Sequence, residues 1–569
     1  MKIRILLLII SFVFAFGFVY SQTENDGKLD KQVLIIYNEY SPVLKDANRI
    51  QFLPVVIDTA KIETKFEYNA RPTMYKTEYT PNQINVATVK GESLRPLDNG
   101  MVKLGFGNKL TPYAEGFYNI RRNKNYSAGV HAKHISSHGK TKNSQDQKIY
   151  NGYANSFINA FGKKFMPAST ISGDIGFSSN IVNFYGYDPI WALNENIFAP
   201  RDRSEMESIN YMRLKFKAGI ISNNLDKYKF DYNANLSYQY FFTSEKDNQH
   251  KIIADADLNK AFKIHRVGMD AKLTFNNNKI NTLEKYNETF LDLNPYYKLY
   301  AKKWQVRLGL NTTGEFRTDS VRYHFYPNVY IQHNISDVLI PYASFKGYIE
   351  NNDLEHTSLI NPFINRINNY QTTNYAQVID IGLKGNISKN WYFRINANYS
   401  KIDDMIFFIN NYFPADLNNK FTAIYANVER FSGYGEITLR DWKNFSFTLD
   451  GHYYYYHYVK DQEKPWNMPN FDIGLRTNYK FNEKLNFGLN FDFIGARYAL
   501  ELPFDRIVNN PIIKKLKPIV DISLYGEYSF ASNFDCFLHL NNITGQKQYY
   551  WNNYQSLGFN FIVGIKYLF

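Results

Sequence analysis

The last thirteen residues of the chain, LGFNFIVGIKYLF, alternate between apolar and mostly polar or small positions. One face of the resulting strand carries Leu557, Phe559, Phe561, Val563, Ile565, Tyr567 and Phe569. The opposite face carries mainly Gly, Asn and Lys. A strand of about ten residues with this pattern suits the wall of a membrane barrel, where one face meets lipid and the other a wet lumen. An edge strand of a soluble sandwich would show the same alternation, so the rest of the chain must decide.

The same alternation recurs from Gly100 onward. In one segment Trp391, Phe393, Ile395, Ala397 and Tyr399 alternate with Tyr392, Arg394, Asn396, Asn398 and Ser400. Another segment, 471–480, leads through Asn482-Glu483-Lys484 into a further alternating stretch, 485–493. A period of two residues with an intervening polar turn predicts antiparallel hairpins.

The connectors between these segments alternate in length, as expected for a barrel with tight turns at one end and longer loops at the other. Tight turns are predicted near Ser532, Glu483, Trp442, Lys389, Asn334, Lys302, Lys263, Leu225, Met166 and Asn123. The other connectors are predicted near Tyr550, Asn509, Glu463, Asn411, Asn361, Ser320, Asn281, Asp247, Asn196 and Thr141, with a tight one near Asn108. The sequence therefore predicts an all-β fold, a large transmembrane antiparallel up-and-down β-barrel of about 22 strands over residues 100–569.

The N-terminal part of the chain differs from the rest. Two basic residues, Lys2 and Arg4, precede an apolar run from Ile5 to about Val19, which predicts a secretory signal peptide over 1–21. Residues 22–99 contain five prolines and no sustained alternation, which predicts an irregular periplasmic or lumen-threading segment, with a small independent domain as the alternative.

Composition supports a barrel rather than a helical membrane protein. The chain has 17% aromatic residues but a mean hydropathy of only −0.44, and beyond the N-terminus no apolar run is long enough for a spanning helix. The expected location is the bacterial outer membrane, in contact with its lipids. The net charge of +13 is spread along the chain, so no nucleic-acid partner is expected. Cys536 is the only cysteine, so no intrachain disulfide can form.

Two regions carry a resemblance to a known family. Leu540-Asn541-Asn542-Ile543, followed by Tyr549-Tyr550-Trp551 and the final strand, resembles the last hairpin of TonB-dependent outer-membrane receptors, and IGLKGNISKNWYFRINANYSKIDDM resembles their barrel hairpins. The terminal Phe569 resembles the C-terminal signal of outer-membrane barrels. The resemblance implies a folded plug and an energy-coupling box before the barrel. Residues 22–99 are too few for that plug and lack its glycine-rich loops, so we expect a porin-like relative without a plug.

The predicted inward positions carry many charges. The basic candidates are Arg213, Lys215, Lys217, Lys272, Arg307, Lys384, Arg394, Arg476, Lys480 and Lys566. Acidic residues predicted on the same face are Asp270, Glu436, Asp450, Asp472, Asp492, Asp521 and Glu527. The basic set would favour anions in an open pore. Alternatively, the two sets pair across neighbouring strands and confer little selectivity.

No catalytic or metal-binding pattern is evident. His131 and His134 point to opposite faces of a strand, so a metal site with His138 is not expected, and no cofactor or enzymatic activity is predicted.

The leading functional hypothesis is an outer-membrane transport barrel, receptor-like or porin-like, that moves or binds solutes through its lumen. The alternative is a sealed barrel that acts as a scaffold for a surface lipoprotein or a periplasmic partner through the loops at 187–207, 350–373 and 499–516. The substrate is not readable from the sequence.

Overall fold

The structure is a computed structural model, and it describes residues 98–569 except 121–122, 144, 195, 224–229, 281–284, 367–369, 412–416, 459–461 and 503–511. The predicted signal peptide (1–21) and nearly all of the predicted N-terminal segment (22–99) lie outside the described residues.

Twenty-eight strands and two short helices are present among the described residues. The strands are β1 (Gly100–Gly107), β2 (Thr111–Asn119), β3 (Tyr126–Ser137), β4 (Lys140–Lys142), β5 (Lys148–Tyr150), β6 (Tyr153–Phe165), β7 (Ser169–Asn183), β8 (Ser208–Ser222), β9 (Phe230–Thr243), β10 (Asn248–Phe262), β11 (His265–Lys279), β12 (Tyr286–Tyr300), β13 (Trp304–Arg317), β14 (Val321–His333), β15 (Ile340–Asn351), β16 (Thr372–Asn386), β17 (Trp391–Asn411), β18 (Phe421–Trp442), β19 (Phe445–Tyr458), β20 (Phe471–Lys480), β21 (Leu485–Ile494), β22 (Arg497–Leu502), β23 (Ile512–Leu516), β24 (Ile519–Ala531), β25 (Phe534–Asn541), β26 (Tyr549–Trp551), β27 (Tyr554–Gln555) and β28 (Asn560–Leu568). The helices are α1 (Pro189–Asn194) and α2 (Leu354–Ile360).

A closed ring of 22 antiparallel strands forms the wall, which confirms the predicted fold class and strand number. The first and last strands close the ring, since β1 pairs with β28 from Met101↔Leu568 to Gly107↔Ile562. The remaining strands lie in connectors: β4 with β5, β22 with β23, and β26 with β27. Closure leaves no unpaired sheet edge, which is the condition for strands to cross a bilayer.

The connectors alternate between short and long, as predicted. Short turns such as 443–444 between β18 and β19, and 532–533 between β24 and β25, occupy one end of the barrel. The opposite end carries long connectors, including 184–207, 352–371, 495–518 and 542–559. Bacterial barrels place their short turns in the periplasm, so the long connectors lie at the external end.

The two faces of the wall have the composition that the alternation predicts. On β28, Val563, Ile565 and Tyr567 are exposed, whereas Ile562 and Lys566 on the other face are buried. On β1, Leu104 and Phe106 are likewise exposed and Lys103 is buried. The apolar face is the one that meets lipid, because membrane barrels carry an outward-facing apolar band. No helix among the described residues has the length and apolar character that a membrane crossing requires.

A buried charge network lies on the polar face where the ring closes. Lys103 of β1 and Lys566 of β28 both contact Glu527 of β24, at 2.9 and 2.8 Å, and Lys566 also lies 2.6 Å from Asp535 of β25. Two cations and two carboxylates balance one another in a buried environment, so no charge is left uncompensated. The network therefore links the first strand to the last three strands of the ring.

Candidate functional site

Four connectors at the external end pack together, and we call them the cap: residues 184–207, 352–371, 406–423 and 542–559. The third of these comprises the ends of β17 and β18 with the loop between them. All four contribute to one buried apolar cluster, through residues that include Phe184, Ile364, Phe421 and Tyr554. The cap is therefore a packed core, continuous with buried side chains of wall strands such as Val182, Ile209 and Phe241, rather than a set of separate loops.

Tyr554 lies at the centre of the cap and is only 2% exposed. Its ring centroid is 3.5 Å from that of Phe363, 5.0 Å from Tyr185 and 6.1 Å from Phe421. Its hydroxyl donates a hydrogen bond to the carbonyl of Asn419. Burial raises the pKa of this hydroxyl well above its usual value, so it stays a donor. One side chain thus contacts each of the other three connectors.

Hydrogen bonds position the connectors of the cap relative to one another. The N–H of Phe421 donates to the carbonyl of Phe363 at 3.0 Å, and the N–H of Asn365 donates to the carbonyl of Phe421 at 2.7 Å. The Asn419 amide donates to the carbonyl of Phe184 at 2.5 Å. These bonds give partners to backbone groups that would otherwise be buried without them.

The cap reaches strands that are distant in the ring. The connector 352–371 leaves β15, yet Pro362 accepts a hydrogen bond of 2.9 Å from the hydroxyl of Tyr211 on β8. Tyr211 stacks on Phe241 of β9, and both belong to the apolar cluster of the cap. The connector therefore crosses the mouth of the barrel instead of extending away from it.

Ion pairs anchor α2 to the wall. Lys251 of β10 lies 2.8 Å from Asp353 and 2.8 Å from Glu355, and Arg213 of β8 lies 3.3 Å from Glu355. Asp353 is also the N-cap of α2, accepting from the N–H of His356. Both carboxylates are almost fully buried. They depend on these cations, because an unpaired buried charge is strongly destabilising.

A second set of ion pairs holds the C-terminal end of the connector 352–371. Arg366 lies 2.6 Å from Asp247, in the turn between β9 and β10. Arg317 of β13 contacts Glu315 at 2.7 Å and Glu288 of β12 at 3.0 Å, and donates to the carbonyl of Tyr370 at 3.0 Å. The connector is thus tied to the wall from β8 to β13.

The ends of β17 and β18 are buried on both faces. Phe407 and Phe408 point to opposite sides, and both are 0% exposed. Phe408 belongs to the cap cluster, whereas Phe407 packs in a second cluster with Trp466 and Leu500. A β-bulge between Ile402 and Met405 precedes this region, and bulges bend a strand locally. The hairpin end is therefore sandwiched between connectors.

An open groove of about 500 Å³ lies on the polar face of β15–β19. The register places Ser344, Asp380, Asn398, Ser432 and Tyr454 side by side in one row across these strands. The rows on either side add cations and further tyrosines, namely Lys346, Arg394, Arg430, Tyr348, Tyr375 and Tyr434. The groove spans wall residues between the 387–390 turn and the bulge, at mid-height in the barrel.

Alternation places all ten predicted basic residues on the polar face of their strands. Four are ion-paired: Arg213 with Glu355, Arg307 with Asp270, Arg476 with Asp492, and Lys566 with Glu527 and Asp535. Lys384 and Arg394 instead contact the hydroxyls of Tyr330 and Tyr342. The side chains of Lys215, Lys217, Lys272 and Lys480 have no ion pair or hydrogen bond within the described part of the chain. Pairing and free cations therefore coexist, and only Arg394 of the ten lines the groove.

The three clustered histidines have separate partners. His131 lies 2.9 Å from Glu115, His134 lies 2.7 Å from Ser156, and His138 lies 3.1 Å from the hydroxyl of Tyr150. Across the described ranges, no group of three or more His, Cys, Asp or Glu side chains is arranged to hold a metal ion.

Sequence reasoning missed Lys346 and Arg430 of the groove and the central role of Tyr554. Arg430 follows the alternation that had marked Glu436 on the same strand, so the signal for it was available. Tyr554 had no such signal, because it lies in a connector without a period.

The sequence matches no protein-family model and no curated protein. Its structure is similar to the pyoverdine outer-membrane receptor FpvA from Pseudomonas aeruginosa PAO1, with 12% identity, a TM-score of 0.62 and coverage of 84% of this chain and 79% of that one. It is also similar to the FrpB iron transporter from Neisseria meningitidis, with 10% identity, a TM-score of 0.63 and coverage of 83% and 82%. The ferric-catecholate import receptor Fiu from E. coli K12 matches at 8% identity, with a TM-score of 0.60 and coverage of 83% and 82%.

These likenesses confirm the resemblance to the barrels of TonB-dependent receptors at the level of the fold. The matched proteins are receptors and transporters rather than enzymes. Together with the closed ring and its apolar face, they identify the chain as an integral β-barrel of the bacterial outer membrane.

Proposed function

We propose that this protein is an outer-membrane transport barrel whose lumen is closed at the external end by the cap and admits solute when the cap opens. The observation that carries the proposal is the contact of Tyr554 with each of the other three connectors of the cap. A barrel of 22 strands is wide enough to leave an aqueous passage unless something fills it. The cap supplies such a barrier from the chain's own connectors.

The cap is suited to gating because many of the contacts in its core join one connector to another, as Tyr554 does, rather than neighbouring strands of the wall. Opening it would break aromatic contacts and hydrogen bonds between connectors, while the ladder that holds the barrel together stays intact. Removing a large buried aromatic side chain costs about 3–5 kcal/mol. A Tyr554→Ala variant is therefore expected to open the cap without unfolding the barrel.

Single-channel conductance of the refolded protein in planar bilayers tests the proposal. We expect the parent protein to be closed for most of the time and Tyr554→Ala to show frequent conducting steps. The matched control is Phe198→Ala, since Phe198 is an aromatic residue of the 184–207 connector that is 69% exposed, and it should behave as the parent. Heat-dependent gel mobility would verify that each barrel is folded. Equal conductance in Tyr554→Ala and the parent would contradict a gating role for the cap.

The reversal potential of the open variant under a salt gradient tests the predicted basic residues. Lys215, Lys217 and Lys272 have no anionic partner in contact among the described residues, so we propose that they bias the open lumen toward anions. Neutralising all three with Gln should shift the reversal potential toward cation preference. An unchanged potential would mean that these lysines do not set selectivity.

A second candidate is a sealed barrel that serves as a scaffold for a surface lipoprotein or a periplasmic partner. It is favoured by exposed apolar side chains on the 184–207 connector: Leu193 is 74% exposed and Ile190 is 52% exposed. Exposed apolar groups that lie close together often mark interaction surfaces. Silence of the correctly folded Tyr554→Ala variant would favour this candidate.

A further inference from the structure

Four cations lie on the polar face of four neighbouring strands, and we call them the cationic stripe: Lys346 of β15, Lys384 of β16, Arg394 of β17 and Arg430 of β18. Three of them line the groove, and Lys384 is directly opposite Arg394 in the strand register. Lys346 and Arg430 share a second row, in register through Val378 and Ser400, six residues further along the strands. The stripe therefore consists of two pairs of cations on the same part of the inner wall.

Tyrosines, rather than carboxylates, hold these cations. The guanidinium of Arg394 lies 5.7 Å from the ring of Tyr342 and 5.6 Å from that of Tyr434, and its Nε donates to the Tyr342 hydroxyl at 3.1 Å. Lys384 lies 5.4 Å from the Tyr342 ring. Cation–π contacts orient a cation without neutralising its charge.

Lys346 and Arg430, on the two outer strands of the stripe, also lie over tyrosine rings. Arg430 lies 5.9 Å from the ring of Tyr454, and Lys346 lies 5.5 Å from that of Tyr348. Within the described ranges, no member of the stripe has a carboxylate oxygen within 4.0 Å. The buried Nε of Arg430 has no hydrogen-bond partner in this part of the chain.

The acidic groups beside the stripe do not pair with it. Both oxygens of Asp380 accept from the amide of Asn396, at 2.9 and 3.0 Å. Glu436 is directly opposite Arg394 in the register, yet it accepts from the Tyr434 hydroxyl at 2.8 Å and from Thr438 at 3.0 Å. Asp450 also lines the groove and has no hydrogen-bond donor in contact among the described residues, since Arg476 and His452 beside it are paired with Asp492 and Asp472. The groove therefore combines the N–H groups of the stripe with two unused acceptors, the Asp450 carboxylate and the buried Oδ1 of Asn396.

The cations that anchor the cap to the wall are, in contrast, paired with carboxylates. Lys251, Arg317 and Arg366 each contact a buried carboxylate at 3.0 Å or less. Isolated lysines elsewhere on the polar face, such as Lys215 and Lys272, also lack an ion pair among the described residues. The stripe differs from them because three of its cations line one groove, where a bound anion could contact several of them.

We propose that the cationic stripe binds a small solute carrying two or more carboxylate or phosphate groups, at mid-height in the lumen. The inference rests on the proposed function, since it assigns a class of solute to the transport barrel. Two guanidinium forks offer paired N–H groups that match the oxygens of carboxylates and phosphates. A groove lined by three cations favours an anion with several charged groups over a monovalent one.

Isothermal titration of the full-length protein in detergent tests the proposal, with citrate and pyrophosphate as separate probes and sucrose as a neutral probe. We expect citrate or pyrophosphate to bind and sucrose not to bind. Arg394→Gln should weaken binding at least about tenfold, since it removes a charge-assisted pair of hydrogen bonds. Lys346→Gln, at an exposed position, should weaken binding in the same direction with little risk to folding.

The matched control is Arg307→Gln on β13. Arg307 also lies over a tyrosine ring, at 4.5 Å from Tyr296, but it is ion-paired with Asp270 at 2.7 Å. Binding in this variant should match the parent. Failure of both anions to bind the folded parent protein, or equal affinity in Arg394→Gln and Arg307→Gln, would overturn the proposal. Anion binding is measured without reference to conductance. If Tyr554→Ala shows no conducting steps, the proposed gating fails but the binding result can still be interpreted.

Discussion

His356 is a titratable residue of the cap. Its Nε2 lies 3.3 Å from the carboxylate of Glu350. This contact raises the pKa of the imidazole; burial opposes the shift, Asp353 supports it and Lys251 opposes it. A group whose pKa is raised in the folded state contributes stability that is fully present below its unfolded pKa, about 6.5 for His. That contribution is lost as the pH rises through the folded pKa.

We therefore expect α2 to be held less firmly at pH 8.5 than at pH 6. Hydrogen exchange of peptides within 352–366, corrected for the intrinsic pH dependence of exchange, measures this directly. Protection should fall as the pH rises, and His356→Gln should remove most of the difference. His265, which lies by a periplasmic turn, provides the control, and His265→Gln should leave the pH dependence of α2 unchanged. A pH dependence that survives in His356→Gln would contradict the role given to this residue.

Single residues show where prediction from the sequence succeeds and where it stops. Alternation places Arg394 on the polar face, because side chains along a strand alternate without exception unless a bulge intervenes. It does not reveal that Arg394 contacts Tyr342 instead of Glu436, which lies directly opposite in the register. That choice depends on side-chain rotamers and on the competing bond from Tyr434 to Glu436.

Among the elements, α2 and its connector depend on Lys251. This lysine contacts two buried carboxylates, Asp353 and Glu355. A Lys251→Met variant leaves both without their closest cation, which typically costs about 3–5 kcal/mol. We expect release of the connector and, in native-state proteolysis, cleavage within 352–371 that is faster by roughly a hundredfold or more.

A double variant separates the loss of charge from the loss of packing. Lys251→Met combined with Glu355→Gln removes one of the two unpaired carboxylates and should recover part of the protection. The matched control is Lys272→Met, because Lys272 on the neighbouring strand β11 has no ion pair in the described chain. Cleavage at the parental rate in Lys251→Met would show that the ion pairs do not anchor the connector.

The wall hairpins were predicted well because each has its own local signal, an alternation of period two that ends at a polar turn. The cap had no such signal. Its contacts join connectors separated by hundreds of residues, such as Tyr185 to Tyr554, and its segments carry no common period. The predicted loops at 187–207 and 350–373 were interpreted as surfaces for solutes or partners, whereas the corresponding connectors pack largely against one another.

For the whole molecule, strand number and closure followed from counting connectors, since short and long connectors must alternate in an up-and-down barrel. What occupies the lumen does not follow from that count. The proposed barrier at the external end is the cap, and the predicted N-terminal segment (22–99) stays a prediction because it lies almost entirely outside the described residues.

Two changes, made singly and together, test the cap and the N-terminal segment separately as barriers. Residues 23–95 are deleted in one variant, Tyr554 is replaced by Ala in another, and a third carries both changes. If the cap closes the external end by itself, the deletion alone should stay as quiet as the parent in planar bilayers, because an aqueous path blocked at one place carries no current. If the N-terminal segment also threads the lumen, Tyr554→Ala alone should conduct weakly and the double variant should conduct most. Full conductance from the deletion alone would mean that the cap is not a barrier, whereas equal conductance in Tyr554→Ala and the double variant would remove the N-terminal segment from the lumen.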